Sequence, residues 1–407
     1  MGYLRFLFDN WSFLLAGLLL ALSSSFGQTF FISIFAAQIM AAYGLTDGGW
    51  GLTYTVATTA SAITMVWAGA LTDRFRIRAL AVVVMLALAG ACLMMTQSPG
   101  LWWLILTIFF LRLMGQGMMS HLAVVSMARW FTTNRGKALS IASIGFALGT
   151  AFLPILFAAL LERQDWRWLW VGCAVALAVT LPVIHRLLRQ ERTPQSMAQE
   201  SQSLGMRGRH WTRGQVLRHP VFWLMVPVLL GPPAWGTALW FQQVHLAEVK
   251  GWSHVTLVSL FPITMGVAVL TTFLSGWGID RVGSGRLMPL YMVPFAVSFA
   301  LLAGAQSLPA AALALAIFGI GQGMQGTLAS AFWAEFFGTA HLGAIKAVAG
   351  AIMVFGSAIG PGVTGALIDR GISFPEQMTG IAAYFAAAAL SATVAAALAR
   401  RDLRVAT

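Results

Sequence analysis

Along its whole length the chain breaks into apolar runs of about 20 residues or more, separated by short polar connections. Twelve such runs can be drawn, at 12–40, 50–71, 79–97, 101–127, 138–160, 168–187, 221–246, 255–278, 287–306, 309–334, 346–368 and 379–399. A run of this length has one stable form in lipid. Its backbone N–H and C=O groups must be satisfied within the segment, so it is helical. Only 9% of residues are charged, against about 25% in an ordinary soluble domain. A soluble fold could not cover this sequence with polar surface, and an all-α membrane protein is expected. The first, fourth and seventh runs are long enough to tilt or to extend beyond the bilayer. The start, MGYLRFLFDNWSFLLAGLLLAL, has the outline of a secretory leader. Its apolar stretch continues through TFFISIFAAQIMAAY, too far for a cleaved segment, so a retained first span is expected.

The net charge of +12 would suggest a nucleic-acid partner in a soluble protein. Here the basic residues sit in the connections, and no nucleic-acid partner is expected. With the N-terminus inside, 20 of the 25 Lys and Arg residues fall on the cytoplasmic side; Arg163, Arg167, Lys250 and Arg370 fall outside, and Arg112 lies within the fourth run. That asymmetry places both termini in the cytoplasm; a plasma membrane, the inner membrane of a bacterium, is the expected location. Residues 188–217 form the one long connection, polar and arginine-rich. It divides the chain into six-span bundles at 1–187 and 218–407 and reads as a cytoplasmic linker. Cys92 and Cys173 lie inside apolar runs as packing residues, with no metal or disulfide spacing. No cofactor is expected.

The halves echo one another. Residues 69–78 read GALTDRFRIR and residues 276–286 read GWGIDRVGSGR, each with Gly, three residues, then Asp-Arg. GQGMMSHLAVVSMARWF at 115–131 aligns with GQGMQGTLASAFWAEFF at 321–337, and Pro154 with Pro361. The chain therefore reads as two related six-span halves. Gly69 and Gly276 would permit close helix approach. Asp73 and Asp280, with Arg74 and Arg281, would cap the next helix or form a charged lock between halves.

These motifs resemble those of the major facilitator superfamily. Its loop signature is met by Gly69, Leu71, Asp73, Arg74, Arg76 and Arg78, with Arg76 where the second glycine stands, and by Gly276, Asp280, Arg281, Gly283 and Arg286. Its fourth-span signature is approximated by Arg112, Gly115 and Gly117. The resemblance covers nearly the whole chain and implies a monomeric secondary transporter of twelve helices. ARWFTTNRGKALS, FQQVHLAEVKGW and FFGTAHLGAIKAVAG look like the monocarboxylate and oxalate/formate porter branches, although the eighth span lacks the charged pair usual there. The fifth span lacks an adjacent Gly-Pro, which the eleventh carries as Gly360-Pro361. Symport and antiport stay open.

An ionisable residue inside a span is expensive and is read first as functional. Arg112 lies near the middle of the fourth run, with Gln116 one turn further on the same face. It is either an anion-binding group or a structural arginine bonded to neighbouring backbone. His121 is expected on the opposite face, as a packing residue or a proton site. His245 and Glu248, one turn apart, would make an outer gate or a pH-sensitive pair. Ser24, Gln28 and Gln38, with Phe31 and Phe35 between them, occupy helical spacing in the first run. Trp240 and Gln243 lie in the seventh, and Gln322 and Gln325 in the tenth. The resemblance implies that the first, fourth, seventh and tenth spans line a central cavity. Neutral hydrogen-bonding groups with aromatic walls suit a small solute; the same groups also serve helix–helix bonding. Nothing reads as a nucleophile–base pair, metal cluster or phosphate loop, so an enzyme is not expected. A mid-membrane positive charge without a matching acid suggests a small organic anion, such as a carboxylate, moved with protons. The alternatives are efflux of an apolar or amphipathic compound, and a membrane sensor that binds without flux.

Overall fold

The computed structural model describes residues 3–69, 71–131, 135–190, 204–338 and 341–404, and forms two compact units, Met1–Ala198 and Gln199–Thr407. In the first unit α1 (Trp11–Ser23) runs into a 3-10 turn and breaks at Gln28, whose backbone is extended (φ −86°, ψ 153°). A helical turn, Thr29–Ile32, and α2 (Ala36–Tyr43) resume the path after a bend of 49°. Then come α3 (Asp47–Ala68), α4 (Ile77–Met94) and α5 (Leu101–Leu111). Eight π-helical residues, Arg112–Met119, join α5 to α6 (Ser120–Trp130). The unit ends with α7 (Arg135–Leu161) and α8 (Trp166–Leu187). Local chemistry sets several ends. Thr46 accepts from Gly49 N (3.1 Å) at the start of α3, Asp165 accepts from Arg167 N (2.8 Å) at the start of α8, and Gly44 closes α2 in the left-handed region (φ 62°).

The second unit contains α9 (Arg213–Leu217), α10 (Pro220–Phe241), α11 (Gln243–Lys250), α12 (Phe261–Val282), α13 (Ser284–Tyr291), α14 (Val293–Gly304), α15 (Leu308–Phe337), α16 (Leu342–Ile368) and α17 (Phe374–Arg404). The second part of the stretch read as a linker is built into this unit: Met206, Trp211 and Val216 are buried. Residues 191–203 lie outside the described residues.

Each unit uses the same pairings. In the first, α1 packs on α7, α3 on α5 and the π segment, and α4 on α8. In the second, α10 packs on α16, α12 on α15, and α14 on α17. In membranes, close packing relies on small residues. A β-carbon at Gly145 or Gly149 of α7 would overlap Leu18 O or Ser25 Oγ of the first span, and one at Gly319 or Gly323 of α15 would overlap Thr264 O or Ala268 O of α12. Gly276 departs from expectation: nothing lies within 4 Å of where its β-carbon would be. The tight approach belongs to the GxxxG spacings, not to the loop-motif glycine.

Each of the twelve expected runs falls mainly in helix among the described residues, interrupted at Gln28 and by short turns. Ten helical segments among the described residues, or eleven if the bent first pair counts as one, are long and apolar enough to cross a membrane. The expectation of twelve falls short at α3. That helix has 22 residues, but Asp47, Gly48, Gly49 and Gly51 at its start and Thr53, Thr55, Thr58 and Thr59 after them lower its apolarity.

Candidate functional site

The break in the first span and the π segment meet. A β-carbon at Gly27 would overlap Leu111 O and Gly115, so both glycines are needed for the contact. An interrupted helix leaves carbonyls without their usual amide partners. Arg112, the first π-helical residue and 1% exposed, serves this gap: its Nη1 donates to Gly27 O (3.3 Å) and to Thr29 Oγ1 (3.1 Å). The Thr29 hydroxyl bonds Tyr54 of α3 (2.6 Å), and the guanidinium carbon lies 5.3 Å from the Tyr54 ring centroid. These partners are a carbonyl, a hydroxyl and an aromatic ring, none of them anionic. Nε is buried with no partner. Among the described residues Arg112 is the one buried charged side chain.

The π segment also shifts the phase on which the expected faces rested, because π-helical bonding runs i to i+5. Gln116 is half-buried while Arg112 is buried. His121, expected opposite Arg112, instead meets the same stretch of chain after the first span: its Nε2 lies 3.4 Å from Thr72 Oγ1, close to Gly69 of the loop motif. The described part of the structure does not include the side chains of Asp73, Arg74 and Asp280. Arg281 lies over the Trp277 ring at 4.3 Å.

The expected helical spacing of the first span is corrected by its break. Ser24 Oγ donates to Ala21 O (2.6 Å) in its own helix, and Gln28 Nε2 reaches Ser120 Oγ (3.3 Å). Phe31 and Phe35 are not walls of an open site. They pack edge-on with Phe157 and beside Trp170 in the core of the unit. Thr29 and Tyr54 were missed as partners of Arg112. The polar run SSSFGQT inside an apolar stretch marks the break that joins them.

In the second unit, Trp240 packs edge-on to Phe261 (4.7 Å) and Phe318 (5.8 Å). Gln243 donates to Trp240 O (3.0 Å), and its Oε1 lies 3.3 Å from His254 Nε2. Its missed neighbour Gln242, at the interruption between α10 and α11, donates to Thr364 Oγ1 (3.2 Å). Gln322 has a buried Oε1 without a partner. Gln325 lines a small, mostly apolar cavity with Met225, Met288, Tyr291 and Met353. His245 and Glu248 do not bond each other: His245 Nε2 accepts from Phe374 N (3.5 Å), and Glu248 is exposed. Glu335, near the end of α15, accepts from Ser284 N (2.8 Å), fixing the start of α13 just after the second loop motif.

The comparisons with known proteins agree with this architecture. A family model described as Major Facilitator Superfamily matches residues 17–361. The phosphoglycerate transporter protein of Salmonella typhimurium is 26% identical over 283 residues, 63% of this chain; the chain spans 61% of the length of that curated relative. Among solved structures, a bacterial homolog of the human lysosomal transporter Spinster, inward-facing and unoccupied, superposes with a TM-score of 0.65 at 16% identity, covering 96% of this chain and 95% of that one. The nucleoside transporter NupG gives 0.68 at 14% identity, with 96% and 99% covered. At these identities the structural likeness is one of fold. The curated relative and the solved structures are named as transporters, and the family match takes in most of the sequence: the chain is a multi-pass integral membrane protein belonging to the Major Facilitator Superfamily.

Proposed function

We propose that the protein is a secondary active transporter of a small organic anion, working by alternating access with both termini in the cytoplasm and twelve membrane-crossing helices. The observation that carries this reading is Arg112. A charge placed mid-span is costly, by about 2.5–3.5 kcal/mol at a helix centre on insertion scales, and this one has only neutral partners. Its Nε donor is unused. An oxyanion reaching it would gain a charge-assisted hydrogen bond and relieve an unsatisfied buried donor. The name of the Salmonella relative, a phosphoglycerate transporter, supports a carboxylate- or phosphate-bearing substrate. His121, beside the loop motif, is our candidate for proton coupling, since imidazole changes charge near neutral pH. We place Gln28, Gln116, Gln243, Gln322 and Gln325 as neutral contacts along the path, and residues 188–217 as the connection between bundles. The working unit is a monomer.

The test is uptake into proteoliposomes of phosphoglycerate, lactate and oxalate, with Arg112→Gln and Arg112→Lys beside the wild type. Gln keeps a donor for Gly27 O but removes the charge. Uptake of one of these anions that falls at least about tenfold in Arg112→Gln and is partly kept in Arg112→Lys is the expected result. Equal uptake by Arg112→Gln would return Arg112 to a purely structural role.

A second reading, efflux of an apolar compound, is favoured by one observation: the Met-lined cavity at Gln325 in the second unit. Export of hydrophobic dyes, unchanged in Arg112→Gln, would select it.

A further inference from the structure

The stretch Leu204–His219 carries four arginines, two histidines and no acid. It is fixed to the second unit. Gly205 sits where a β-carbon would overlap Phe336 O and the Gly338 amide at the end of α15. Met206 is fully buried and Trp211 is 3% exposed. Trp211 N donates to Phe337 O (3.0 Å), and its indole Nε1 donates to Met206 O (3.0 Å). Arg207, with φ 59°, holds a left-handed conformation that a non-glycine residue adopts only under fixed contacts. Its Nε and Nη2 both donate to Asp402 Oδ2 at the end of α17 (3.1 and 2.8 Å). α9 opens with a capping box between Thr212 and Gln215.

This anchoring leaves the other arginines without acids. Asp402, the acid on this face of the segment, is taken by Arg207. Arg209 stacks over Trp211 (4.3 Å), and Arg213 at the start of α9 and Arg218 just past its end are exposed. Two exposed apolar side chains flank them. Trp223, in the first turn of α10, is 62% exposed and donates its Nε1 to Leu217 O (2.9 Å), and Leu204 is 57% exposed. An exposed indole at the end of a membrane-spanning helix marks head-group depth. The arginines beside it therefore lie where lipid phosphates lie.

We infer that Leu204–His219 is a rigid basic platform of the second unit that binds the head groups of anionic phospholipids, through Arg213 and Arg218 with Trp223 set in the interface. A free phosphate ester fits less well, because nothing buries it. The flanking Trp223 and Leu204 need acyl chains beside the phosphates. The platform does not depend on which solute the transporter moves.

The test is native mass spectrometry of the intact protein from micelles holding equal parts phosphatidylcholine and phosphatidylglycerol. The wild type should retain phosphatidylglycerol preferentially. Each arginine near an anionic surface is worth about one factor of five in binding, so Arg213→Gln/Arg218→Gln together should weaken that retention on the order of thirtyfold. Arg370→Gln, just before the start of α17 and so at the far end of that 31-residue helix from Asp402, should leave it unchanged. The single variants guard against misfolding, and each should weaken retention on its own. Retention of phosphatidylglycerol by the double variant at the wild-type level would overturn the proposal. So would equal retention of both lipids by the wild type, or displacement of phosphatidylglycerol by soluble glycerol phosphate.

Discussion

His219 shows how one side chain at a membrane edge can be read to a measurable consequence. It precedes α10, and its Nδ1 accepts from Val221 N (3.3 Å), so the cap requires a neutral ring. Its Nε2 lies 3.6 Å from Asp402 Oδ2. Burial lowers its pKa below the ordinary histidine value, outweighing the upward pull of Asp402, while Arg207 and Arg209 push it down further. With the folded pKa depressed, the unfolded chain binds the proton more readily. The stabilising contribution is present above the unfolded value, about 6.5, and is lost as pH falls through the lower folded value. We expect the unfolding midpoint to drop on acidification below neutrality, and to drop less in His219→Asn, which keeps a capping acceptor without titrating. Equal pH slopes for the two proteins would show that the ring is not the titrating group. Arg112 makes the complementary point. Its value to the fold is the bond to a carbonyl that a broken helix releases, and the proposed function rests on the charge that this neutral setting leaves unbalanced.

At the scale of elements, the membrane removes the hydrophobic drive between helices and leaves packing to decide. Glycine spacing accordingly sets the closest of the pairings, those of α1 with α7, α12 with α15 and α10 with α16. Gly149 faces Ser25 and Leu22 of the first span, with no room for a side chain, whereas Gly172 in α8 has nothing within 4 Å. Gly149→Leu should destabilise the protein by about 1–3 kcal/mol or more through overpacking. Gly172→Ala should be neutral or slightly stabilising, by about 0.5–1 kcal/mol at most. Thermal unfolding in detergent checks both; a tolerated Gly149→Leu would mean that the two spans part more easily than their contact implies. The π segment acts at the same scale. It lets Gly115 sit against Gly27, with Arg112 beside Tyr54 within α3 and His121 beside Thr72 just past the end of α3.

For the whole molecule, the distribution of basic residues makes a topological prediction. Gln164 lies in a connection assigned to the outside, and Gly214 in the stretch assigned to the cytoplasm; both are exposed. Cys92 and Cys173 are buried and should stay silent. In intact cells a membrane-impermeant maleimide should label Gln164→Cys and spare Gly214→Cys, with the reverse in inverted vesicles. Labelling of Gly214→Cys in intact cells would invert the assignment. Much of the molecule was legible in the sequence because lipid imposes a severe filter. Long apolar runs must be helices, and the duplicated GQGM and Asp-Arg segments exposed two related halves whose helices pair alike. The same reasoning singled out Arg112, since an ionisable residue inside a span stands out against an apolar background. It did not find the partners. Which carbonyl a guanidinium meets depends on where a neighbouring helix breaks; the polar run SSSFGQT marks the region of the break, but not that Gly27 there would meet Arg112. The face assigned to His121 failed for a related reason: it assumed a uniform helical period over nine residues, and a π segment changes it. By itself the sequence determined a helical membrane protein built from two repeats, because those features are set by local apolarity and by internal likeness. Only the tertiary structure decided that Arg112 seals a broken helix with neutral partners, and that part of the polar connection is bolted to the second unit. Both depend on atoms far apart in the chain meeting at a few ångströms, and no pattern along the chain records that.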